Sequence, residues 1–219
     1  MKITITKYFA ILFLVFIAGI SNAQNIRINL YSAYTFDDEI SAVTNGNYSF
    51  SGTMKGGYQW GAGVEFLLQK TYGLELLYFR QDTDFPVNYS RTTGFDSTKI
   101  FGLGGNFIML AGNKYLPIPH SVVMPYGGFM LGMSIFNNKD PLPGGETSST
   151  NFAWGLRGGV FINASKNVGV KLHAQLLSAV QSFGTGMYYG TGAAPVAVTT
   201  GSSMLQFGLG GALVIGLGK

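Results

Sequence analysis

The chain contains no cysteine, and only 11% of its residues are charged. Without cysteine there is no disulfide framework, and a lipoprotein anchor, which needs Cys at the cleavage point, is excluded. A globular domain whose surface faces water carries about a quarter charged residues. A chain with less than half that fraction must place much of its surface against something else. Past the first two dozen residues no apolar run approaches the roughly 20 residues of a spanning helix. Lipid can then be crossed only by a closed barrel, in which every backbone N–H and C=O finds a partner. Basic residues nowhere cluster, so nucleic acid is not expected as a partner, and the formal charge of +4 includes Lys2 and Lys7. Beyond Asp37-Asp38-Glu39, which reads as a solvated acidic turn, no grouping of His or carboxylate has metal-ligand character. No cofactor is expected.

What is present points the same way. Gly 32, Phe 17 and Tyr 12 give a glycine- and aromatic-rich chain, with a mean hydropathy of +0.24. Its 219 residues suit one domain, since eight tilted strands with their connections need about 150–200. Lys2 and Lys7 precede a continuous apolar segment at 8–20, and Ser21-Asn22-Ala23 supplies small residues at the cleavage positions. Residues 1–23 therefore read as a secretory signal peptide cleaved after Ala23, and 24–219 as the mature domain.

After Gln24 the pattern alternates with the period of a strand. At 25–36, Ile26, Ile28 and Leu30 oppose Arg27, Asn29 and Tyr31; at 55–68, Tyr58, Trp60, Ala62, Val64 and Phe66 oppose Gln59, Gly61, Gly63 and Glu65. Further strands are expected at 72–81, 98–110, 122–136, 150–162, 167–181 and 202–217. On 98–110 the wall-facing set is taken as Phe101, Leu103, Phe107 and Met109, against Gly102, Gly104 and Asn106. The connections at 37–54, 82–97, 137–149 and 182–201 are long, whereas 69–71 and 163–166 are short. The segment 111–121 holds Pro117 and Pro119 and reads as a turn of moderate length. Long and short connections alternate as in an up-and-down transmembrane barrel, with short periplasmic turns and longer outer loops. The fold class expected is all-β: an eight-stranded antiparallel barrel. A soluble sandwich would carry Lys, Glu and Thr on its polar face; here that face is built of glycine and isolated charges, as befits a narrow lumen.

The segment Met124-Pro125-Tyr126-Gly127-Gly128-Phe129-Met130-Leu131-Gly132-Met133 resembles the Pro-Tyr and glycine alternation of the outer-membrane β-barrel domain family, the small barrels of the OmpA, OmpX and OmpW types. The resemblance implies residence in the bacterial outer membrane, lipid and lipopolysaccharide as surroundings, and assembly by the barrel machinery. The chain ends Gly216-Leu217-Gly218-Lys219 rather than on the aromatic residue common in that class.

Alternation sends Arg27, Glu65, Glu75, Arg157, Lys171, His173 and Gln175 into the lumen. Unpaired charges there are costly, so the carboxylates should pair with the cations in one network. Such a network either plugs the barrel or gates it; an eight-stranded interior only just wide enough for side chains favours the plug. His120 falls in the Pro-rich turn and His173 in mid-strand, neither beside a nucleophile, so no enzymatic site is expected. Tyr34, Phe36, Tyr58, Trp60, Tyr72, Tyr78, Phe101, Trp154 and Phe161 read as interface girdles. Tyr48, Phe50, Phe85, Tyr89, Tyr188 and Tyr189 fall in the outer loops, where they serve either as recognition anchors for a protein partner or as loop packing. The functional expectation is a non-enzymatic barrel with a structural or surface-contact role. The alternatives are a narrow channel for small, including hydrophobic, solutes and a barrel subunit of a surface secretion or adhesion complex.

Overall fold

A computed structural model describes residues 26–40, 48–69, 71–91, 97–139, 148–180, 188–189, 196–197 and 203–217. Eight wall strands run in chain order: β1 Ile26–Thr35, β2 Gly57–Leu68, β3 Tyr72–Arg91, β4 Ser97–Tyr115, β5 Val123–Asn138, β6 Ser148–Asn163, β7 Val168–Val180 and β8 Ser203–Gly216. Each pairs antiparallel with the next, and β8 returns to β1 from Arg27↔Gly216 to Thr35↔Gly208, which closes the barrel and leaves the wall without an edge. The proposed leader, 1–23, lies outside the described residues.

The outer surface explains the low charge. Leu30, Leu76, Leu110, Phe129, Leu156, Leu172 and Leu209 are all exposed on it, Leu76 at 54% and Leu172 at 51%. A belt of large apolar side chains around every strand is unstable in water and is what a bilayer covers. Tyr34, Phe36, Tyr58 and Trp60 are exposed at the loop end of this belt, and Tyr72 at the turn end. The rings of Tyr34 and Phe36 meet edge to face at 5.5 Å, and Phe36 stacks on Phe207 at 5.7 Å.

Three expectations are corrected. The segment 82–97 is not a loop: β3 has 20 residues and β4 has 19, joined through 92–96. A membrane crossing takes about 9–11 residues, so this hairpin carries on past the bilayer, where polar residues alternate as readily as apolar ones. Asp82 and Asp84 face out while Thr83 and Phe85 face in. The first connection likewise contains strands Asp38–Ile40 and Tyr48–Met54, the latter laid along the outer part of β3 at Gly52↔Val87.

Second, Phe101, Leu103, Phe107 and Met109 point inward, and Ile100, Ile108 and Leu110 face lipid. This strand is apolar on both faces, so alternation alone could not choose; register does, because Phe107 stands opposite Phe79 and Met109 opposite Leu77. Third, Phe101 and Phe161 are not girdle residues but are buried, Phe161 because it stands opposite the inward Lys171.

The interior has two tiers. Toward the loop end lies a packed apolar cluster that includes Phe79, Phe85, Phe101, Leu103, Phe107, Met130, Phe136 and Leu177. Toward the turn end lie the charges, floored by Tyr115, Tyr126, Phe161 and Val214.

Candidate functional site

Glu65 on β2 and Glu75 on β3 stand directly opposite each other, four residues to either side of a tight turn whose Thr71 N–H returns to Leu68 O at 3.3 Å. Like charges so placed repel, and the structure gives each its own cation. Lys171 Nζ lies 2.9 Å from Glu65 Oε2, and Arg157 Nη2 pairs with Glu75 Oε2; all four side chains are wholly shielded from solvent.

Neutral donors complete the set. Glu75 also accepts from Tyr31 OH at 2.6 Å, Asn29 Nδ2 at 2.7 Å and Asn113 Nδ2 at 3.1 Å. Glu65 accepts from Tyr115 OH at 2.5 Å and Asn113 Nδ2 at 2.7 Å. Arg157 donates Nε to Asn113 Oδ1 at 3.1 Å and Nη1 to Tyr31 OH at 2.9 Å. A carboxylate offers about four acceptor positions and a guanidinium five donors, and here nearly all are used.

Two glycines make the room. A Cβ at Gly63 would run into the carboxylate of Glu75, and one at Gly73 into that of Glu65, so each carboxylate lies over the bare backbone of the strand opposite.

All seven residues read as lumenal point inward, but they do not form one group. Glu65, Glu75, Arg157 and Lys171 make the network. Arg27 makes no ion pair among the described residues; its guanidinium lies 4.5 Å from the Phe161 ring centre and 5.5 Å from that of Tyr115. His173 is buried with its ring edge-on to Tyr31 at 5.7 Å, and neither ring nitrogen has a hydrogen-bond partner among the described residues. Gln175 joins a separate amide chain, Nε2 to Gln59 Oε1 at 2.5 Å and Gln59 Nε2 to Gln81 Oε1 at 3.5 Å.

The sequence places Asn113 and Tyr115 in a turn because of the proline at 117, whereas β4 runs on to Tyr115. With Met109 read as wall-facing, parity would have aimed both at lipid, and only the strand register turns them inward. Of the loop aromatics, Phe85 is corrected: it is buried in the apolar tier opposite Phe101. Tyr48, Phe50 and Tyr89 lie in the paired outer strands, Phe50 opposite Tyr89, and Tyr188–Tyr189 pairs with Val196–Ala197; their side chains lie outside the described residues.

The acidic turn is a brace. Asp37 accepts from Lys55 Nζ at 2.8 Å and from Gly56 N–H at 2.7 Å, which hold its carboxyl below the usual range. Asp38 accepts from Leu205 N–H at 2.8 Å, and its carboxyl is raised by burial, in part offset by that bond. Among the described residues no three His, Cys, Asp or Glu gather as metal ligands.

A closed eight-stranded wall, an apolar belt and a side-chain-filled interior define a small transmembrane β-barrel of the outer-membrane type. No protein-family model matches the sequence, and no curated protein is similar to it in sequence. Among solved structures it is similar to Neisserial surface protein A, at 14% identity and a TM-score of 0.55, covering 88% of this chain and 97% of that one. It is also similar to the outer-membrane protein OprG of Pseudomonas aeruginosa, at 13% identity and a TM-score of 0.57, covering 88% and 96%. At such identities the likeness is one of fold.

Proposed function

We propose that this is a non-enzymatic protein of the bacterial outer membrane, delivered by a signal peptide at 1–23, with a structural or surface-contact role and a sealed lumen. The observation that carries the reading is the pair of wholly shielded ion pairs, Arg157–Glu75 and Lys171–Glu65, crossing the interior between β3, β2, β6 and β7. A permeation path through them would have to break bonds on both carboxylates at once. The apolar tier stacked on the loop-end side adds a second seal. With the lumen filled, contact with the outside falls to the loop end, where the β3–β4 hairpin extends past the bilayer.

A second reading, a narrow channel for small hydrophobic solutes, draws on the apolar lining of that outer tier, whose Met54, Met109, Met130 and Met204 can repack. Planar-bilayer recording separates the two, using the refolded chain beside Glu65→Gln/Glu75→Gln. Silence from both, with folding shown by heat-modifiable gel mobility, is the expected result. Steady openings in the parent chain that change size in the variant would make the lumen a pathway.

A further inference from the structure

At the turn end, two connections are tight and polar, and the third is not. The Gln69–Thr71 turn closes through Thr71 N–H, and the β6–β7 turn through Ala164 and Ser165 N–H to Val168 O at 3.0 and 2.8 Å. Between β4 and β5, residues 116–122 read Leu-Pro-Ile-Pro-His-Ser-Val. Leu116, Ile118 and Val122 stand 55%, 48% and 60% exposed.

This segment is held in shape. Leu116 N–H donates to Pro125 O at 2.9 Å and Ser121 N–H to Ile118 O at 3.1 Å, while Val123 N–H donates to Ser121 Oγ at 3.0 Å. In the Ile118–Ser121 reverse turn Pro119 takes the second position and His120 the third, at φ 61, where glycine is the unstrained choice.

Three features of the segment agree. The lipid-facing row of β4, Ile108 and Leu110, leads through exposed Lys114 to Leu116. Five of the residues at 116–123 present no free N–H, because Pro117 and Pro119 have none and Leu116, Ser121 and Val123 are bonded; this lowers the cost of entering the headgroup boundary, where the carbonyls still find water. The exposed charge at this end has one sign: Lys114 and Lys166, with no exposed carboxylate among the described residues there. Lys114 Nζ sits 3.6 Å from the centre of the Tyr72 ring, at the girdle. Apolar side chains beside cations at a membrane boundary are the chemistry of an interfacial anchor.

We propose that the 116–122 turn is such an anchor. It dips into the headgroup–acyl boundary of the leaflet at the turn end, and Lys114 holds the phosphate of an anionic phospholipid. The inference rests on the membrane-spanning reading of the barrel.

The test uses the full chain in vesicles of phosphatidylcholine and phosphatidylglycerol, carrying Trp60→Phe, Trp154→Phe and Ile118→Trp. The indole at position 118 is expected to be quenched by shallow-brominated lipid and shielded from iodide. In otherwise unaltered chain, Lys114→Gln is expected to lower the preference for phosphatidylglycerol over phosphatidylcholine among co-purified lipids by about fivefold. An indole quenched by iodide and untouched by brominated lipid overturns the anchor and leaves the turn to a protein partner; so does a lipid preference unchanged by Lys114→Gln. If the unaltered chain shows no heat-modifiable mobility, the barrel reading fails and takes the anchor with it. Retained mobility with a water-exposed indole fails the anchor alone.

Discussion

The two tiers of the interior solve one problem in opposite ways. The turn-end tier buries two carboxylates, a guanidinium and an ammonium, and satisfies them almost completely. The loop-end tier buries aromatic and methionine side chains, and the atoms left without partners among the described residues are uncharged ones in both tiers: Gln81 Nε2, Gln175 Oε1, Gln206 Oε1 and Ser134 Oγ beside the apolar tier, Asn29 Oδ1 and Tyr126 OH in the charged one, and both nitrogens of His173. The costlier groups are thus the better served. An unpaired buried charge costs several kcal/mol, and an unpaired buried amide only about 1–3, so geometry is enforced where failure is dearest. The charged tier should behave as a unit that fails when one member goes, and the apolar tier should degrade in proportion to what is removed.

Removing one partner of a buried pair is the sharpest way to break the contrast. Arg157→Leu strands Glu75 in a sealed interior and is expected to cost about 3–5 kcal/mol, read as the urea midpoint of heat-modifiable mobility. Arg157→Leu with Glu75→Leu removes both charges and is expected to recover part of that loss, since Asn29, Tyr31 and Asn113 still lose an acceptor. Equal losses in the single and double variants would mean that the pair is not the unit argued for here.

In the apolar tier the expected losses are smaller and graded. Phe107, 1% exposed and edge-on to Phe136 at 5.8 Å, is expected to cost about 3 kcal/mol as Phe107→Ala. The closer match in volume, Phe107→Leu, should cost less than about 1.5 kcal/mol. Bilayer recordings of either variant should stay silent, because the charged tier below is untouched. Openings in Phe107→Ala would show that the apolar tier, not the ion pairs, is the seal.

The architecture was legible because lipid and lumen impose opposite demands on alternate residues, and that period survives in β1, β2, β7 and β8 down to single positions such as Glu65 and Lys171. It failed where both faces are apolar: Phe101 and Phe107 differ from Ile100 and Ile108 in no one-dimensional respect, and only pairing with β3 separates them. It fails again at Asp82 and Asp84, where polarity marks an exit from lipid and not the end of a strand. The individual charges of the site could be read from the strands, but their division could not. That Arg27 rests on aromatic rings while Arg157 takes Glu75 depends on the stagger of strands far apart in the chain, as does the fit of Glu75 over Gly63.

The smallest effect sharpens the comparison most. Asp37 and Lys55 lie 2.8 Å apart, and Glu65 and Lys171 2.9 Å apart; the first pair is about half exposed and the second not at all. Equal distances then predict unequal consequences, because water and salt screen the outer pair. Asp37 is held below its usual range in the folded chain, first by Lys55 and then by the Gly56 N–H. Its contribution is therefore present above the unfolded carboxylate value and is lost as pH falls through the lowered folded one, that is, below about pH 4. The response belongs to the loop end, where Asp38, raised by burial, and Asp82, held low by Arg80 and Lys139, titrate beside the Asp37 brace. Limited acid proteolysis should cut the outer connections faster as pH drops through that window, while the urea midpoint, set by the buried tiers, moves little. Asp37→Asn should weaken the pH dependence of cutting, Asp38 and Asp82 supplying the remainder, with little shift of the midpoint at neutral pH. A midpoint lowered as far by Asp37→Asn as by Arg157→Leu would mean that burial does not set the value of a charge pair in this barrel.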